Sequence, residues 1–215
     1  MSTIEVKYIF GGNIKPYKIK EKKFESAYLK KEEFQTIFIT KDGIVTDQQA
    51  DRRYHGGEDK ALLIASTNHF KTYEDEFQES IDKAIFSANI FVNTLDESTV
   101  CVGDIYKLGE VLVQVTQPRQ PCWKIGAVFS NKISKFIKVH SATGWYVKVL
   151  QEGSISQNDN VELVKKQSSI SIKDMSKFLN EKTIDKEILK TLINADFVAQ
   201  SYKNDISKIV ENDKR

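Results

Sequence analysis

The sequence contains few of the residues on which disulfide-stabilised or metal-stabilised folds depend. Its 215 residues include two cysteines, three histidines and three prolines. Two cysteines cannot form a disulfide framework, and so few cysteines and histidines disfavour a structural zinc site. With 40% apolar and 10% aromatic residues, the chain is neither disordered nor collagen-like. These counts indicate one globular domain with a small appendage.

The sequence also lacks long hydrophobic runs and an excess of one charge. No apolar run of about eighteen residues is present, and residues 1–22 lack the apolar stretch of a signal peptide. The 32 basic and 30 acidic residues give a net charge of +2, which is too even to indicate a polyanionic partner. We therefore expect a soluble cytoplasmic protein that binds neither nucleic acid nor a membrane.

Short apolar runs separated by turn signals dominate the first two thirds of the chain. In the first run, Ile4, Val6, Tyr8 and Phe10 recur at every second position, which is the pattern of a half-buried strand. Many short strands at near-regular spacing favour a mainly β fold, a barrel or a sandwich, over a parallel α/β sheet. The predicted strands cover residues 4–10, 35–40, 60–65, 88–92, 104–108, 110–116, 144–150 and 161–165.

Helical spacing interrupts these strands and dominates the end of the chain. Residues 67–77 and 131–139 predict two inserted helices. Ser171 and Asp174 resemble a capping box, and three short amphipathic helices follow it. Such helices are too short to be stable alone, so they must pack together or onto the sheet. We divide the chain into a β-barrel domain, residues 1–167, and a three-helix segment, residues 168–215.

Arginine is rare in this sequence and is concentrated in two polar segments. Only four of the 32 basic residues are arginine, and three of them are Arg52, Arg53 and Arg119. The arginine guanidinium binds phosphate and carboxylate in a bidentate way that lysine cannot reproduce. The first segment, residues 46–60, includes Gly56-Gly57, whose backbone N–H groups can approach a ligand closely. Its composition is equally typical of a solvated loop with a turn at the two glycines.

The second segment, residues 117–124, places a cysteine in a rigid and cationic setting. Pro118 and Pro121 bracket Arg119 and stiffen the chain before Cys122. Neighbouring cations favour the thiolate, which is both a nucleophile and a soft-metal ligand. The alternative for Cys122 is a small buried hydrophobic residue, and we expect that role for Cys101.

These motifs, taken in order, resemble the MOSC family in its stand-alone YiiM-like branch. The family is named for the C-terminal domain of molybdenum cofactor sulfurase. The resemblance covers nearly the whole chain, because the branch also carries a C-terminal three-helix segment. Its motifs lie at residues 47–61, 86–90, 100–104 and 117–124, with Gly-Trp-Tyr at residues 144–146.

The resemblance implies a MOSC-type β-barrel, a molybdopterin-type molybdenum cofactor and reduction of N-hydroxylated compounds such as 6-N-hydroxylaminopurine. Cys122 would bind the metal and, with His55, act in catalysis; His55 would hydrogen-bond the cofactor or donate a proton to the leaving hydroxyl. A pyridoxal phosphate association, which some family descriptions attach, has no candidate Schiff-base lysine motif here. The residues that would bind the cofactor are Arg53, Gly56, Gly57, Asp59, Lys60, Asn89 and Arg119.

The chain departs from the family pattern at three places. Thr46 stands where the family usually has glycine, and Ser87-Ala88 stands where it usually has Gly-Glu, before Asn89. Ser141-Ala142 replaces a Gly-Arg pair that often precedes the Gly-Trp-Tyr motif. The second and third departures remove a carboxylate and a guanidinium from the region of the predicted site.

Other functions remain open at this stage. Cys122 could hold a persulfide as a sulfur carrier, the fold could serve as a nucleic-acid-binding module, or Cys122 and His55 could form a hydrolase. The even charge disfavours the nucleic-acid-binding module. The hydrolase has no evident third residue that would orient the Cys122–His55 pair. Since the sequence has no dinucleotide fingerprint and too few cysteines for an iron–sulfur cluster, a reductase would need a separate electron donor. A homo-oligomer is compatible with the sequence.

Overall fold

The structure is a computed structural model that describes residues 3–19, 22–27, 30–48, 56–121, 125 and 131–212. Strands dominate these residues, with α-helices inserted after the seventh and the tenth strand, and the last three helices follow the last strand. The strands are β1 (Val6–Gly11), β2 (Lys15–Ile19), β3 (Lys22–Ser26), β4 (Glu32–Glu33), β5 (Thr36–Thr40), β6 (Gly43–Ile44), β7 (Leu62–Ser66), β8 (Ile90–Val92), β9 (Ile105–Leu108), β10 (Val111–Pro118), β11 (Trp145–Gln151), β12 (Gly153–Ser156) and β13 (Val161–Lys165). The helices are α1 (Asn68–Phe77), α2 (Asn131–His140), α3 (Ile172–Glu181), α4 (Lys186–Asn194) and α5 (Gln200–Asn212).

One mixed sheet organises the fold, with strand order β13-β9-β10-β11-β7-β8-β1-β4. Its pairs are antiparallel except β7 and β8, which are parallel because the chain returns through α1 between them. The ladder between β10 and β11 runs from Leu112 opposite Gln151 to Pro118 opposite Trp145. This end of the ladder, at Pro118 and Trp145, brings together the segments that the sequence identified as functional.

The sheet does not close into a barrel in the part of the chain that the structure describes. Its edges approach where Glu5 forms an isolated bridge with Asn160, where the Val161 N–H donates to the Ile4 carbonyl at 2.8 Å, and where the Val6 N–H donates to the Asp159 carbonyl at 2.9 Å. Further along β1 the free edge is occupied by β4. The predicted sheet-rich fold with C-terminal helices is confirmed, whereas the expectation of a barrel is corrected to an open sheet.

Two smaller sheets complete the β structure. A three-stranded sheet has the order β12-β5-β6, and β2 and β3 form a separate hairpin. In the hairpin the rings of Tyr17 and Phe24 stack with centroids 5.6 Å apart. The sequence analysis missed this hairpin because its two strands are short and rich in lysine.

The two faces of the large sheet contact different apolar clusters. Alternate residues of β7 separate to the two sides, Leu62 and Ile64 in the first cluster and Leu63 and Ala65 in the second. Buried residues of α3, α4 and α5 join the first cluster, whereas α2 and the Tyr73 ring of α1 belong to the second. The central strands are therefore buried on both faces, which explains why they are continuous apolar runs.

A bulge in β1 changes the pattern that the sequence predicted for this strand. The register with β8 shifts between Val6 and Tyr8. As a result Val6 and Ile9 pack in the first cluster, while Tyr8 and Phe10 face the second. The period-two pattern predicted a common face for Val6, Tyr8 and Phe10, and the extra residue of the bulge reverses the face.

Ser171 caps α3 as predicted, with Asp174 bound to the Ser171 side chain. The Asp174 N–H donates to Ser171 Oγ at 3.0 Å, and the Ser171 hydroxyl donates to Asp174 Oδ2 at 2.6 Å. Behind this cap, Met175 and Tyr202 are fully buried against the sheet. The C-terminal helices thus share a core with the strands, and a domain boundary at residue 168 stays a prediction. None of the described helices is both long and apolar enough to span a membrane.

Candidate functional site

The two polar segments that the sequence analysis identified meet at one end of β10 and β11. The Thr116 hydroxyl, on β10, donates to the Asp59 carbonyl oxygen at 2.6 Å and lies 3.0 Å from the Tyr146 carbonyl oxygen on β11. Beyond the end of β10, the Arg119 N–H donates to the Gly144 carbonyl at 3.1 Å. We call this region the β10–β11 site, and it comprises Asp59, Lys60, Thr116, Arg119 and Tyr146.

Arg119 is held in place by the turn that precedes β11. Arg119 is only 6% exposed, and its Nε–H donates to the Thr143 carbonyl oxygen at 2.7 Å. Since the turn binds both the backbone N–H and Nε of Arg119, the guanidinium plane has a fixed orientation. A planar cation of fixed orientation suits bidentate recognition of a phosphate or carboxylate.

A 3₁₀ turn at Glu58–Lys60 provides the other side of the site. Gly57, which precedes it, has φ +96°, and a Cβ added there would meet no heavy atom within 4 Å. Its backbone is therefore accessible to a ligand. The Lys60 ammonium lies 5.8 Å from the centre of the Tyr146 ring. Burial lowers the pKa of Lys60, and the nearby carboxylates of Asp205 and Asp59 oppose that effect.

Helix α5 lies against the same strand end. The Ser201 hydroxyl donates to Gln117 Oε1 at 2.7 Å, and Gln120 Nε2 donates to Asp205 Oδ2 at 2.8 Å. The Ala199 N–H also donates to the Thr116 carbonyl at 3.3 Å. The C-terminal segment therefore forms one wall of the β10–β11 site.

Asn89 joins three parts of the chain through its side chain. Its Oδ1 accepts the Leu63 N–H at 3.0 Å, and its Nδ2 donates to Asp47 Oδ2 at 2.9 Å. The Asp47 carboxylate also accepts the Gly12 N–H at 2.9 Å and forms a buried ion pair with Lys30. These contacts fix the chain at Asp47, where the first polar segment begins. A cofactor-binding role for Asn89 stays a prediction.

Several residues that the sequence analysis selected lie outside the described residues. They are Arg52, Arg53, His55 and Cys122. Of the other selected residues, Asp59, Lys60 and Arg119 meet in the β10–β11 site, and Gly56 and Gly57 directly precede its 3₁₀ turn. Cys101, which we expected to be structural, is 5% exposed, and burial raises the pKa of its thiol.

Glu97 is a buried residue near the site that the sequence analysis missed. Its Oε1 accepts the Gly144 N–H at 2.6 Å, and its Oε2 lies 2.6 Å from His69 Nε2. No signal in the sequence separates Glu97 from the polar residues around it, because its burial depends on tertiary contacts.

Two of the three departures from the resembling family pattern fall in one buried region, whereas Thr46 is exposed. Ala88 and Ala142 are each 1% exposed and both belong to the second apolar cluster. The loss of a carboxylate at one position is therefore accompanied by the loss of a guanidinium in the same cluster. Ser87 and Ser141, which replace glycines, both have φ +53°, in the left-handed region that favours glycine.

Comparison with known proteins connects this site to a family. The model of the MOSC domain matches residues 51–162, which is more than half of the chain and includes most of the first polar segment and all of the second. The chain belongs to the MOSC domain family. The matched range begins within the first polar segment and ends in β13, so it contains the whole β10–β11 site.

Individual proteins and a solved structure are also similar to this chain. The uncharacterized protein YflK of Bacillus subtilis is 37% identical over 145 residues, which cover 66% of this chain and 65% of YflK. A protein named Reductase from Gibberella moniliformis is 29% identical over 147 residues, but these are only 26% of that protein. The crystal structure of YiiM from Geobacillus stearothermophilus superimposes with a TM-score of 0.78 at 26% identity, covering 96% of this chain and 99% of that chain. The chain thus spans less than two thirds of YflK and about a quarter of the reductase.

The described residues of this MOSC protein fit the phosphate end of a molybdopterin-type cofactor. Arg119 presents an oriented guanidinium, Lys60 provides a second cation, and the space beside Gly57 allows a ligand to approach the backbone. The predicted metal-binding thiolate belongs to Cys122, outside the described residues. In the described part of the chain, no group of three or more His, Cys, Asp or Glu side chains is arranged to hold a metal ion.

Proposed function

We propose that this MOSC protein is a molybdenum-cofactor-dependent oxidoreductase that reduces N-hydroxylated compounds, such as 6-N-hydroxylaminopurine. The observation that supports it most directly is the contact between Thr116 and Asp59, which joins the two motif segments beside Arg119. Family membership and a relative named Reductase agree with this proposal. The substrate class is inferred from the resemblance of the motifs.

The residues of the site divide into those that hold the cofactor and those that act on the substrate. Arg119, Lys60 and the backbone at Gly56 and Gly57 would bind its phosphate, with Arg53 as a second guanidinium. The Cys122 thiolate would bind the metal as a soft ligand. When bound, the cofactor supplies two-electron oxygen-atom chemistry that no amino-acid side chain provides.

Proton supply is the part of the reaction that falls to the protein. Conversion of an N-hydroxylamine to an amine and water breaks the N–O bond and consumes two electrons and two protons. We assign the proton that reaches the leaving hydroxyl to His55, because an imidazole can release a proton near neutral pH. The electrons would come from a separate reductase.

Helix α5 would influence access to the site. Ser201 and Asp205 contact Gln117 and Gln120, which flank Arg119 in the chain. The three C-terminal helices would therefore form part of the wall around a small-molecule substrate. We further propose a cytoplasmic protein with no nucleic-acid or membrane partner, in which self-association into a homo-oligomer is compatible with the fold.

The decisive experiment measures molybdenum and pterin in protein purified from a host that makes the cofactor. We expect both in the parent and in Cys101→Ser, and loss of molybdenum and of hydroxylaminopurine reduction in Cys122→Ser. Cys101→Ser is the matched control, because Cys101 is buried and its substitution should change only the packing and desolvation contributions to stability.

A different result would support the alternative function. If the parent protein carries a persulfide on Cys122 and neither molybdenum nor pterin, the protein is a sulfur carrier and the reductase proposal is wrong. Equal activity of Cys122→Ser and the parent, measured with a reconstituted electron donor, would exclude Cys122 as a metal ligand.

A further inference from the structure

A buried carboxylate lies behind Arg119, on the side of the turn that holds it. Glu97, in the segment between β8 and β9, has a side chain that is only 3% exposed. Its Oε1 accepts the Gly144 N–H at 2.6 Å and its Oε2 lies 2.6 Å from His69 Nε2. The two oxygens of Glu97 therefore bind two different partners, the Gly144 backbone and the His69 ring.

The turn that Glu97 binds has little freedom to move. Gly144 has φ +70°, and a Cβ there would lie 2.6 Å from the Ile64 carbonyl oxygen. The same turn presents two carbonyl groups to Arg119, one from Thr143 to Nε at 2.7 Å and one from Gly144 to the backbone N–H at 3.1 Å. The Gly144 N–H that Glu97 binds and the Thr143 carbonyl that Nε of Arg119 binds therefore belong to one peptide unit, and the Gly144 carbonyl belongs to the next.

We infer that Glu97 is a positioning residue that sets the orientation of the Arg119 guanidinium through the turn at residues 143–144. His69 fixes the carboxylate, the carboxylate fixes the Gly144 N–H, and the turn fixes Nε of Arg119. A hydrogen bond to a charged group contributes more to stability than a neutral one. This contact is also buried, so water cannot readily replace it.

The backbone of Glu97 connects this network to the C-terminal segment. Its carbonyl oxygen accepts the Lys173 N–H at 2.7 Å, in the first turn of α3. The side chain of Glu97 thus acts on Arg119, while its main chain secures the helix that follows the sheet. Substitutions that keep the backbone in place can separate these two roles.

The orientation of Arg119 can be measured directly by nuclear magnetic resonance. The sequence contains four arginines, so the spectrum of arginine Nε–H groups has few signals, and Arg119→Lys identifies the one that disappears. In the parent, this proton should exchange slowly with water, because Nε is buried and bound to the Thr143 carbonyl. In Glu97→Ala we expect roughly tenfold or faster exchange of this proton, the change that loss of one charged hydrogen bond produces.

Two further variants distinguish positioning from a general loss of structure. Glu97→Gln retains a carbonyl oxygen that can accept the Gly144 N–H, so it should restore most of the slow exchange. Glu110→Ala removes another carboxylate that accepts a backbone N–H, that of Ser154 at 2.9 Å, and should leave Arg119 unchanged. Amide exchange at Leu192 in α4 reports whether each variant remains folded. If Glu97→Ala does not fold, Glu97→Asp replaces it, since the shorter side chain withdraws from Gly144.

The inference depends on the proposed function only for the identity of the ligand that Arg119 binds. Faster exchange of the Arg119 Nε–H together with lower molybdenum content in Glu97→Ala supports both the positioning role and the proposed function. Faster exchange with full molybdenum content supports the positioning role and contradicts the assignment of Arg119 to the cofactor. Unchanged Arg119 exchange in a folded Glu97→Ala protein, or in folded Glu97→Asp, overturns the inference.

Discussion

The Thr116 hydroxyl and the Asp59 carbonyl oxygen lie 2.6 Å apart, although 57 positions separate the two residues in the sequence. Asp59 lies near the end of the first polar segment, and Thr116 directly precedes the second. This hydrogen bond therefore holds the Glu58–Lys60 turn against β10 at the point where Arg119 leaves the sheet. Both segments need this contact to act on one ligand.

Thr116→Val should separate the two segments without changing the shape of the strand, because valine keeps the branched side chain. We expect unfolding in denaturant to show a loss of about 1–2 kcal/mol, since the variant leaves the Asp59 carbonyl without this donor. Bound molybdenum should also decrease. Thr36→Val on β5, whose hydroxyl lies at an exposed position 2.8 Å from Ser156 Oγ, is the control and should cost under about 0.5 kcal/mol. Equal effects of the two substitutions would contradict a special role for Thr116.

Ser201→Ala tests whether α5 supports the site. The variant removes the hydrogen bond to Gln117 Oε1, so we expect a loss of about 1 kcal/mol in unfolding free energy and weaker cofactor retention. Ser207→Ala, on the same helix, removes only a bond to the Lys203 carbonyl within α5. Retention of cofactor by both variants would show that α5 stabilises the fold without shaping the site.

The sequence predicted the strands and helices with strong periodicity and missed those whose pairing is purely tertiary. The strand Val161–Lys165 and the helix beginning at Asn131 match their predicted positions, because alternation and helical spacing are local properties. The hairpin of β2 and β3 forms from short segments that are rich in lysine. The sequence also could not predict that the sheet stays open between β13 and β1, because this depends on the pairing of β4 with β1.

The same distinction applies to the site. Rare arginines and the glycine pair indicated Arg119 and Gly57 from composition alone, and the structure places Arg119 and the turn after Gly57 at one end of the sheet. Glu97 gave no signal, because a glutamate in a polar stretch is normally exposed. Its burial results from the contacts with His69 and Gly144, which come from distant parts of the chain.

Lys30→Met should be among the most destabilising single substitutions in the protein. Lys30 is 8% exposed and its ammonium pairs with Asp47, whose side chain is 5% exposed. Removing the lysine leaves a buried carboxylate with the Gly12 N–H and Asn89, at a cost of about 3–5 kcal/mol. Denaturant unfolding measures this loss.

Two companion variants test that explanation. The double variant Lys30→Met with Asp47→Asn should recover part of the stability, because it removes the unpaired charge as well. Lys132→Met breaks the surface pair with Glu79, where the two atoms are 3.0 Å apart, and should cost under about 1 kcal/mol. No recovery in the double variant would show that the buried charge is not the cause.

The lowered pKa of Lys60 predicts a specific dependence of stability on pH. Burial lowers the pKa of this lysine below its ordinary value of 10.5, against the opposing effect of Asp205 and Asp59. Between the folded and unfolded pKa values, the unfolded chain holds a proton that the folded protein has released. Stability therefore rises with pH in this window, and the rise ends above pH 10.5.

Lys60→Met removes that contribution and should reveal it by difference. We expect the unfolding free energy of the parent, relative to Lys60→Met, to increase as pH rises towards 10.5 and then to become constant. Urea unfolding of both proteins at several pH values between neutral and alkaline measures the difference, with Lys190→Met as the reference for loss of an exposed lysine charge. A difference that stays flat, or that falls as pH rises, would mean that Lys60 is not desolvated beside Tyr146.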